Sequence, residues 1–222
     1  YIALPGGEGA IREPWKIAIS YLYDTFKEDY TVYVPKHLQE KKHQIITEII
    51  KKDINSPKAS SIGRLFDAVA ALLGFDAKIT FQGEAAIDLE NLCCRDDQSF
   101  YQYNISLEDG IYIIDCKSLI KSVVIEVIDG IDKELIARRF HNTIIKFTIE
   151  LCEILRKEYN LSSVVLSGGV FQNEILLINI YKELIKRDFK VYIHEQIPAN
   201  DEGISIGQMI IGNEILKKEL VF

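Results

Sequence analysis

The chain has 222 residues, 48% hydrophobic and 27% charged, enough to bury a core in one large domain or two small lobes. A net charge of −7 argues against a nucleic-acid backbone as the main partner, because phosphate contacts need a basic surface. With no apolar run of spanning length and no basic-then-apolar leader, a cytoplasmic protein without a membrane partner is expected.

The opening at Tyr1, without an initiator Met, runs straight into LPGGEGA and reads as a trimmed or processed piece beginning in a glycine-rich loop over 4–10. Glu13-Pro14 starts a helix, since proline suits the first turn. Its core stripe is Trp15, Ile19, Leu22 and Phe26 at helical spacing. A second helix is expected from His37 to about Lys52, with Ile45, Ile49 and Ile50 as its apolar face. Asn55-Ser56-Pro57 ends it. ASSIGRLFDAVAALLG reads as a third helix, with Ser60 or Ser61 as cap and Gly74 as stop. After FQG a fourth begins near Glu84, so residues 1–95 form a mostly helical segment.

Near Ser99 the character changes, and 96–222 reads as an α/β nucleotide-binding lobe. FYQYNI and IYIIDC have strand content and fit an antiparallel pair around Glu108-Asp109-Gly110, with the register open. A short helix follows over 118–127. Asp132 caps a long helix to about Tyr159, whose buried stripe is Ile136, Phe140, Ile144, Phe147, Leu151 and Leu155. The last third alternates: SSVVLS strand, 171–187 helix, FKVYIHE strand, 203–218 helix. Such alternation implies βαβ units and a parallel sheet, so the fold class is α/β.

Four motifs bear on chemistry. VVLSGGVFQN places Gly168 and Gly169 between a strand and a helix start, where backbone can turn sharply and free N–H groups suit a phosphate; Asn173 can reach ribose or phosphate. A tight turn without a ligand is about as good a reading of two glycines alone. In SSIGRLFD, Ser61, Arg64 and Asp67 stand three apart and share a helix face. Arg64 could meet a phosphate or carboxylate, and Asp67 ribose hydroxyls; a helix cap with a surface ion pair is the plainer alternative. PANDEGISIGQ follows a strand and opens the final helix, where Asp201 or Glu202 could bind a metal through oxygen or simply cap the helix. Gly83-Glu84 puts an acid in a helix first turn, which the helix dipole explains without a ligand.

The cysteines, Cys93, Cys94, Cys116 and Cys152, fit neither a CxxC pair nor a disulfide framework and read as reduced, mostly core thiols. His37 and His43 sit in a charged, solvated stretch, His141 lies on the long helix, and His194 ends a strand near the glycine turn. No HxxxH pair joins any of them, and a structural or solvated role fits each better than a ligand role. There is no nucleophile elbow, Walker loop or zinc-type cysteine cluster.

Taken in order, LPGGEGAIREPW, SSIGRLFDAVAALLG, ITFQGEAAIDLE, ARRFHNTI, VVLSGGVFQNEILL and PANDEGISIGQ resemble the hydrogenase maturation carbamoyltransferase family (HypF). The resemblance is to its C-terminal, threonylcarbamoyl-synthase-like module and is thinnest over 95–130. It implies the C-terminal portion of an actin/Hsp70-like ATPase superfold with a nucleotide held between lobes. It implies ATP and carbamoyl phosphate as substrates, giving a carbamoyl-adenylate (an AMP derivative). The carbamoyl group then passes to the C-terminal cysteine of the partner maturation protein HypE and becomes a cyanide ligand of [NiFe] hydrogenase. By motif, Gly168, Gly169 and Asn173 would contact the adenylate. Asp67, with Ser61, Gly63 and Arg64, would hold ribose or phosphate, and Gly83 and Glu84 would lie beside the ribose. Asp201 resembles the acidic ligand of a divalent metal (zinc, iron or magnesium).

The family's upstream acylphosphatase-like, zinc-binding and adenylate-forming segments are not in this sequence, nor are the module's histidine metal ligands. The chain therefore reads as part of the transfer module, expected not to turn over alone. Two other functions fit some of the residues: a tRNA threonylcarbamoyl-adenosine synthase, which the acidic charge disfavours, and a non-catalytic nucleotide-binding scaffold that docks the partner.

Overall fold

In the computed structural model, which describes residues 1–93 and 96–219, IGRLFDAVAAL folds as α4 (Ile62–Leu72), and every side chain from Leu65 to Leu73 is buried. Its alanines leave room for close neighbours. α2 (Pro14–Phe26), α5 (Glu84–Asn91) and α6 (Lys117–Ile128) all pack on it. Pro14 opens α2 as the sequence predicts, and Trp15, Ile19 and Leu22 are buried with Ile17 and Ala18. The chain ahead of it is more ordered than a loop. β1 (Ile2–Ala3) pairs antiparallel with β2 (Lys58–Ala59), and α1 spans Glu8–Arg12.

The helix expected over 37–52 is shorter. Two 3-10 stretches, Lys27–Tyr33 and Lys36–Leu38, precede α3 (His43–Lys51). His37 Nε2 lies 2.9 Å from the Ala71 carbonyl, tying this connection to the end of α4. On α3 it is Ile46 that is buried, whereas Ile45 is exposed. Gly74 ends α4 as expected: its φ of +102° suits glycine, and the next amide, of Phe75, bonds back to Ala70.

The hairpin is β3 (Asn104–Glu108) against β4 (Ile111–Asp115), with Glu108 opposite Ile111. Asp109 and Gly110 both have positive φ, the two-residue turn whose twist matches paired strands. Residues 100–103, expected in the first strand, lie outside it, and Tyr101 N donates instead to Thr143 Oγ1 at 2.8 Å. α7 (Lys133–Tyr159) buries Ile136, Phe140, Ile144 and Phe147; Leu151 and Leu155 are only half-buried.

By contact the chain divides into two compact units, Tyr1–Phe147 and Thr148–Phe222. The composition change near Ser99 puts the boundary at 95/96, but α6 lies beyond that point and packs on α2 and α4, so it belongs with the first unit.

The second unit holds a βαβ arrangement, as the alternation implies. β5 (Ser163–Val165) and β6 (Lys190–Tyr192) are parallel, joined by α8 (Glu174–Ile185). Leu166, Leu176, Ile180, Leu184 and Phe189 form its core. A 3-10 turn over Asp201–Gly203 leads into α9 (Ile204–Glu219). The content is thus mixed α/β, with helices dominating the first unit. Among the described residues no helix is long and apolar enough to cross a membrane.

Candidate functional site

The candidate residues fall into two groups, one in each unit. In the second unit the chain leaves β5 through Leu166 and turns at Ser167-Gly168. Gly168 has φ +104°, which side-chain-bearing residues rarely adopt. Its N–H donates to the Ala199 carbonyl at 2.9 Å, fastening the glycine turn to the loop after β6. Gly169 opens a 3-10 turn, Gly169–Gln172, and α8 begins only at Glu174, later than the sequence predicts.

Asn173 is the reason. Its backbone is extended, its side chain is buried, and its Oδ1 accepts from Leu176 N at 2.9 Å. It is an N-cap, satisfying one of the amides that a helix start leaves open. The residue expected to reach a ribose therefore already has an oxygen committed to the fold.

A cleft of about 350 Å³ opens at the carboxyl ends of β5 and β6, with Leu166, Phe171, Leu177, Ile193, His194 and Pro198 in its lining. This is where ligands gather in parallel sheets. On its rim His194 Nε2 lies 2.9 Å from Ser167 Oγ, and both residues are exposed. Sequence reading left this pair out because twenty-seven positions separate its members. The available signal was that each stands two residues past the end of its strand.

Asp201 is exposed at the start of the 3-10 turn, and Asn200 Oδ1 accepts from Glu202 N beside it. Among the described residues no group of three His, Cys, Asp or Glu side chains is placed to hold a metal ion. One carboxylate does not make a site for a hard cation, which takes six or more oxygens, or for four-coordinate zinc. The residues described do not by themselves fit a bound metal.

In the first unit, Ser61 occupies the N-cap position of α4 with extended backbone, but its hydroxyl makes no capping hydrogen bond. Gly63 lies in the first turn, where an added Cβ would meet only Ser61 Oγ at an ordinary 3.6 Å. Arg64 and Asp67 do meet: Nη1 and Oδ2 are 2.8 Å apart, with side chains 16% and 4% exposed. This is an ion pair without hydrogen-bond alignment, for both atoms are buried and neither has a hydrogen-bond partner. Burial pushes the Asp67 carboxyl up to about 6, partly offset by Arg64. The ion pair of the plainer alternative therefore does form, but not at the surface: Asp67 is buried and Arg64 half-buried. Tyr21 of α2, which sequence reading did not single out, lies within electrostatic reach of both, and burial holds its phenol well above its usual value.

Gly83 takes the left-handed conformation, φ +86°, as N-cap of α5. Glu84 Oε2 accepts from the Thr80 hydroxyl at 3.0 Å and also from the Thr80 amide, which holds its carboxyl below the usual range. Its role in the chain is to fasten the turn before α5.

The histidines are more engaged than expected. His43 Nδ1 lies 3.1 Å from the Tyr30 hydroxyl, and its ring meets Tyr30 edge-on. His141 is fully buried against Phe66 and Phe140, with Nδ1 2.8 Å from the Ala137 carbonyl. Burial lowers its pKa to about 4. Cys93 is buried as expected of a core thiol, whereas Cys116 and Cys152 are only half-buried, and burial raises Cys116 to about 11, which keeps it a protonated, unreactive thiol; Cys94 lies outside the described residues.

A family model described as "Carbamoyltransferase, Kae1-like Domain, second subdomain" matches residues 1–208. The chain belongs to this carbamoyltransferase family. It is 29% identical to the carbamoyltransferase HypF of Synechocystis, over 93% of this chain and 28% of that protein. It is 28% identical to a probable carbamoyltransferase HypF of Methanocaldococcus jannaschii, over 91% of this chain and 26% of that protein. Its fold matches a crystal structure of full-length HypF in the phosphate- and nucleotide-bound form, with a TM-score of 0.90 at 38% identity, covering 97% of this chain and 28% of that one. HypF of T. kodakarensis matches with a TM-score of 0.81 at 23% identity. The chain thus spans little more than a quarter of the length of these relatives.

Proposed function

We propose that this chain forms part of the transfer module of a cytoplasmic, ATP-dependent carbamoyltransferase. That module moves a carbamoyl group from carbamoyl-adenylate to the C-terminal cysteine of HypE, as a step toward the cyanide ligands of [NiFe] hydrogenase. The observation that carries the reading is the match over residues 1–208 to a carbamoyltransferase subdomain, joined to close fold similarity with a nucleotide-bound HypF. The actin/Hsp70-like superfold is the finer fold assignment that goes with it.

Within this reading the glycine turn at Gly168 and Gly169 receives part of the adenylate at the carboxyl ends of the parallel strands. Asp67 supports it differently. A buried carboxylate oxygen without a hydrogen-bond partner is costly, and a ribose hydroxyl is a donor that would satisfy it. Ser61, Gly63 and Arg64 share that end of α4, with Gly83 and Glu84 opening the helix packed beside it. An acyl adenylate is already activated, so the work left to the protein is to hold it against the incoming thiolate and to balance the charge that develops. A metal at Asp201 would need further ligands, so no step is assigned to one.

Calorimetry with AMP tests the assignment. The wild-type chain is expected to bind and Gly168→Val, with a branched side chain at φ +104°, to bind at least tenfold more weakly, about 1.4 kcal/mol. Equal binding by the two would remove the glycine turn from the site.

A further inference from the structure

Ser167 and His194 stand where the next rung of the parallel ladder would fall. The register pairs Val165 with Tyr192, and the last backbone bond runs from Leu166 N to the Tyr192 carbonyl. Counting two residues on from each partner gives Ser167 and His194, which strand alternation places on the same face as Val165 and Tyr192. Here the backbone ladder has stopped and a side-chain hydrogen bond of 2.9 Å replaces it. One residue further, Gly168 N donates to the Ala199 carbonyl. Two consecutive residues of the glycine turn are therefore tied to the two ends of the segment 194–199. Between the ties lies the loop that lines the cleft.

We infer that His194 is a positioning residue. Its ring clasps the Ser167 hydroxyl, so that the glycine turn and the 195–199 loop are held together as one wall of the cleft. A hydroxyl can donate once and accept twice, so Ser167 Oγ bonded to His194 keeps capacity for a polar oxygen of a ligand. The imidazole suits the clasp because Nε2 can donate or accept according to tautomer. What the wall receives rests on the nucleotide reading above; the clasp itself does not.

Amide hydrogen exchange on the full 222-residue chain tests it, read without ligand at Gly168, whose N–H is held by the Ala199 carbonyl. His194→Ala and Ser167→Ala are each expected to speed exchange there roughly fivefold, the size of one lost hydrogen bond. His194→Gln, whose terminal amide reaches the place of Nε2, should restore slow exchange, while Leu176, held by Asn173, stays unchanged in all variants. Unaltered exchange at Gly168 in His194→Ala and Ser167→Ala overturns the clasp, as does failure of the Gln variant to rescue. An AMP titration separates the two ideas. If wild type binds and His194→Ala binds several-fold more weakly with rescue by Gln, the positioning role holds. If wild type and His194→Ala bind equally, that role is overturned. If the exchange pattern appears and no variant binds AMP, the clasp stands and the nucleotide reading fails.

Discussion

Arg64 Nη1 and Asp67 Oδ2 lie 2.8 Å apart, one turn along the same helix, and neither atom makes a hydrogen bond. Coulomb attraction holds them close, while burial works against the carboxylate charge and dominates the Asp67 pKa. The acid is thus poised rather than satisfied.

Asp67 therefore couples stability to pH. Its folded pKa of about 6 exceeds its ordinary 3.8, so the stability it contributes is fully present below about pH 4 and is lost as pH rises through 6. The loss amounts to about 3 kcal/mol at one pKa unit per 1.36 kcal/mol. Trp15, the single tryptophan, is buried in the first unit and reports its urea unfolding. The stability difference between Asp67→Asn and wild type should grow in favour of the variant from pH 4 to 7. A constant difference across that range would refute the coupling.

His141 acts in the opposite sense over nearly the same window. Its folded pKa of about 4 lies below the ordinary 6.5, so its contribution is fully present above pH 6.5 and is lost as pH falls toward 4, again about 3 kcal/mol. The ring packs against Phe66, the residue beside Asp67. The two slopes oppose each other in the wild-type first unit. Asp67→Asn should expose a steeper acid sensitivity, and adding His141→Gln should flatten it. The same Trp15 unfolding curves check both.

Asn173→Ala should cost about 1 kcal/mol as a lost helix cap, whether or not a nucleotide binds. Asn173→Ser should recover most of it. Exchange at the Leu176 amide is the readout, and an unchanged rate in the alanine variant would count against the cap.

Gly203 and Gly168 should respond to alanine for different reasons. A Cβ at Gly203 would lie 2.9 Å from the Pro198 carbonyl and 3.1 Å from Ile197 Cγ2, so the loop must move, at about 1–3 kcal/mol. At Gly168 nothing lies within 4 Å, and the cost is the backbone conformation alone, about 1–3 kcal/mol. Amide chemical shifts should move along 197–203 in Gly203→Ala and around 167–170 in Gly168→Ala. The reverse pattern would contradict the packing.

If Asp67 accepts from a ribose, Asp67→Ala should weaken AMP binding by about 1–3 kcal/mol, while Glu84→Ala, whose carboxylate is occupied by Thr80, should change it less. A larger effect at Glu84 would reverse the ranking of these two residues.

Much of the architecture was written locally. Pro14, the apolar run of α4, the stop at Gly74, and Asp109-Gly110 each set their element through steric or hydrogen-bonding properties of a few adjacent residues. The βαβ alternation of the last third follows in the same way from hydrophobic period. The motif order, too, is a property of the sequence, and it suffices to mark the carbamoyltransferase family.

Tertiary structure decided where those elements go and what their polar groups do. It put the hairpin and α6 with the first unit, buried the Arg64–Asp67 pair by packing α2, α5 and α6 around α4, and committed Asn173 and Glu84 to helix starts. It also brought His194 to Ser167 across the ends of two parallel strands. Sequence spacing sets which residues share a helix face or strand side, because those periods are local. Whether a side chain ends in water, in a core or against a partner far along the chain depends on how elements pack, and burial and hydrogen-bond partners follow only from that.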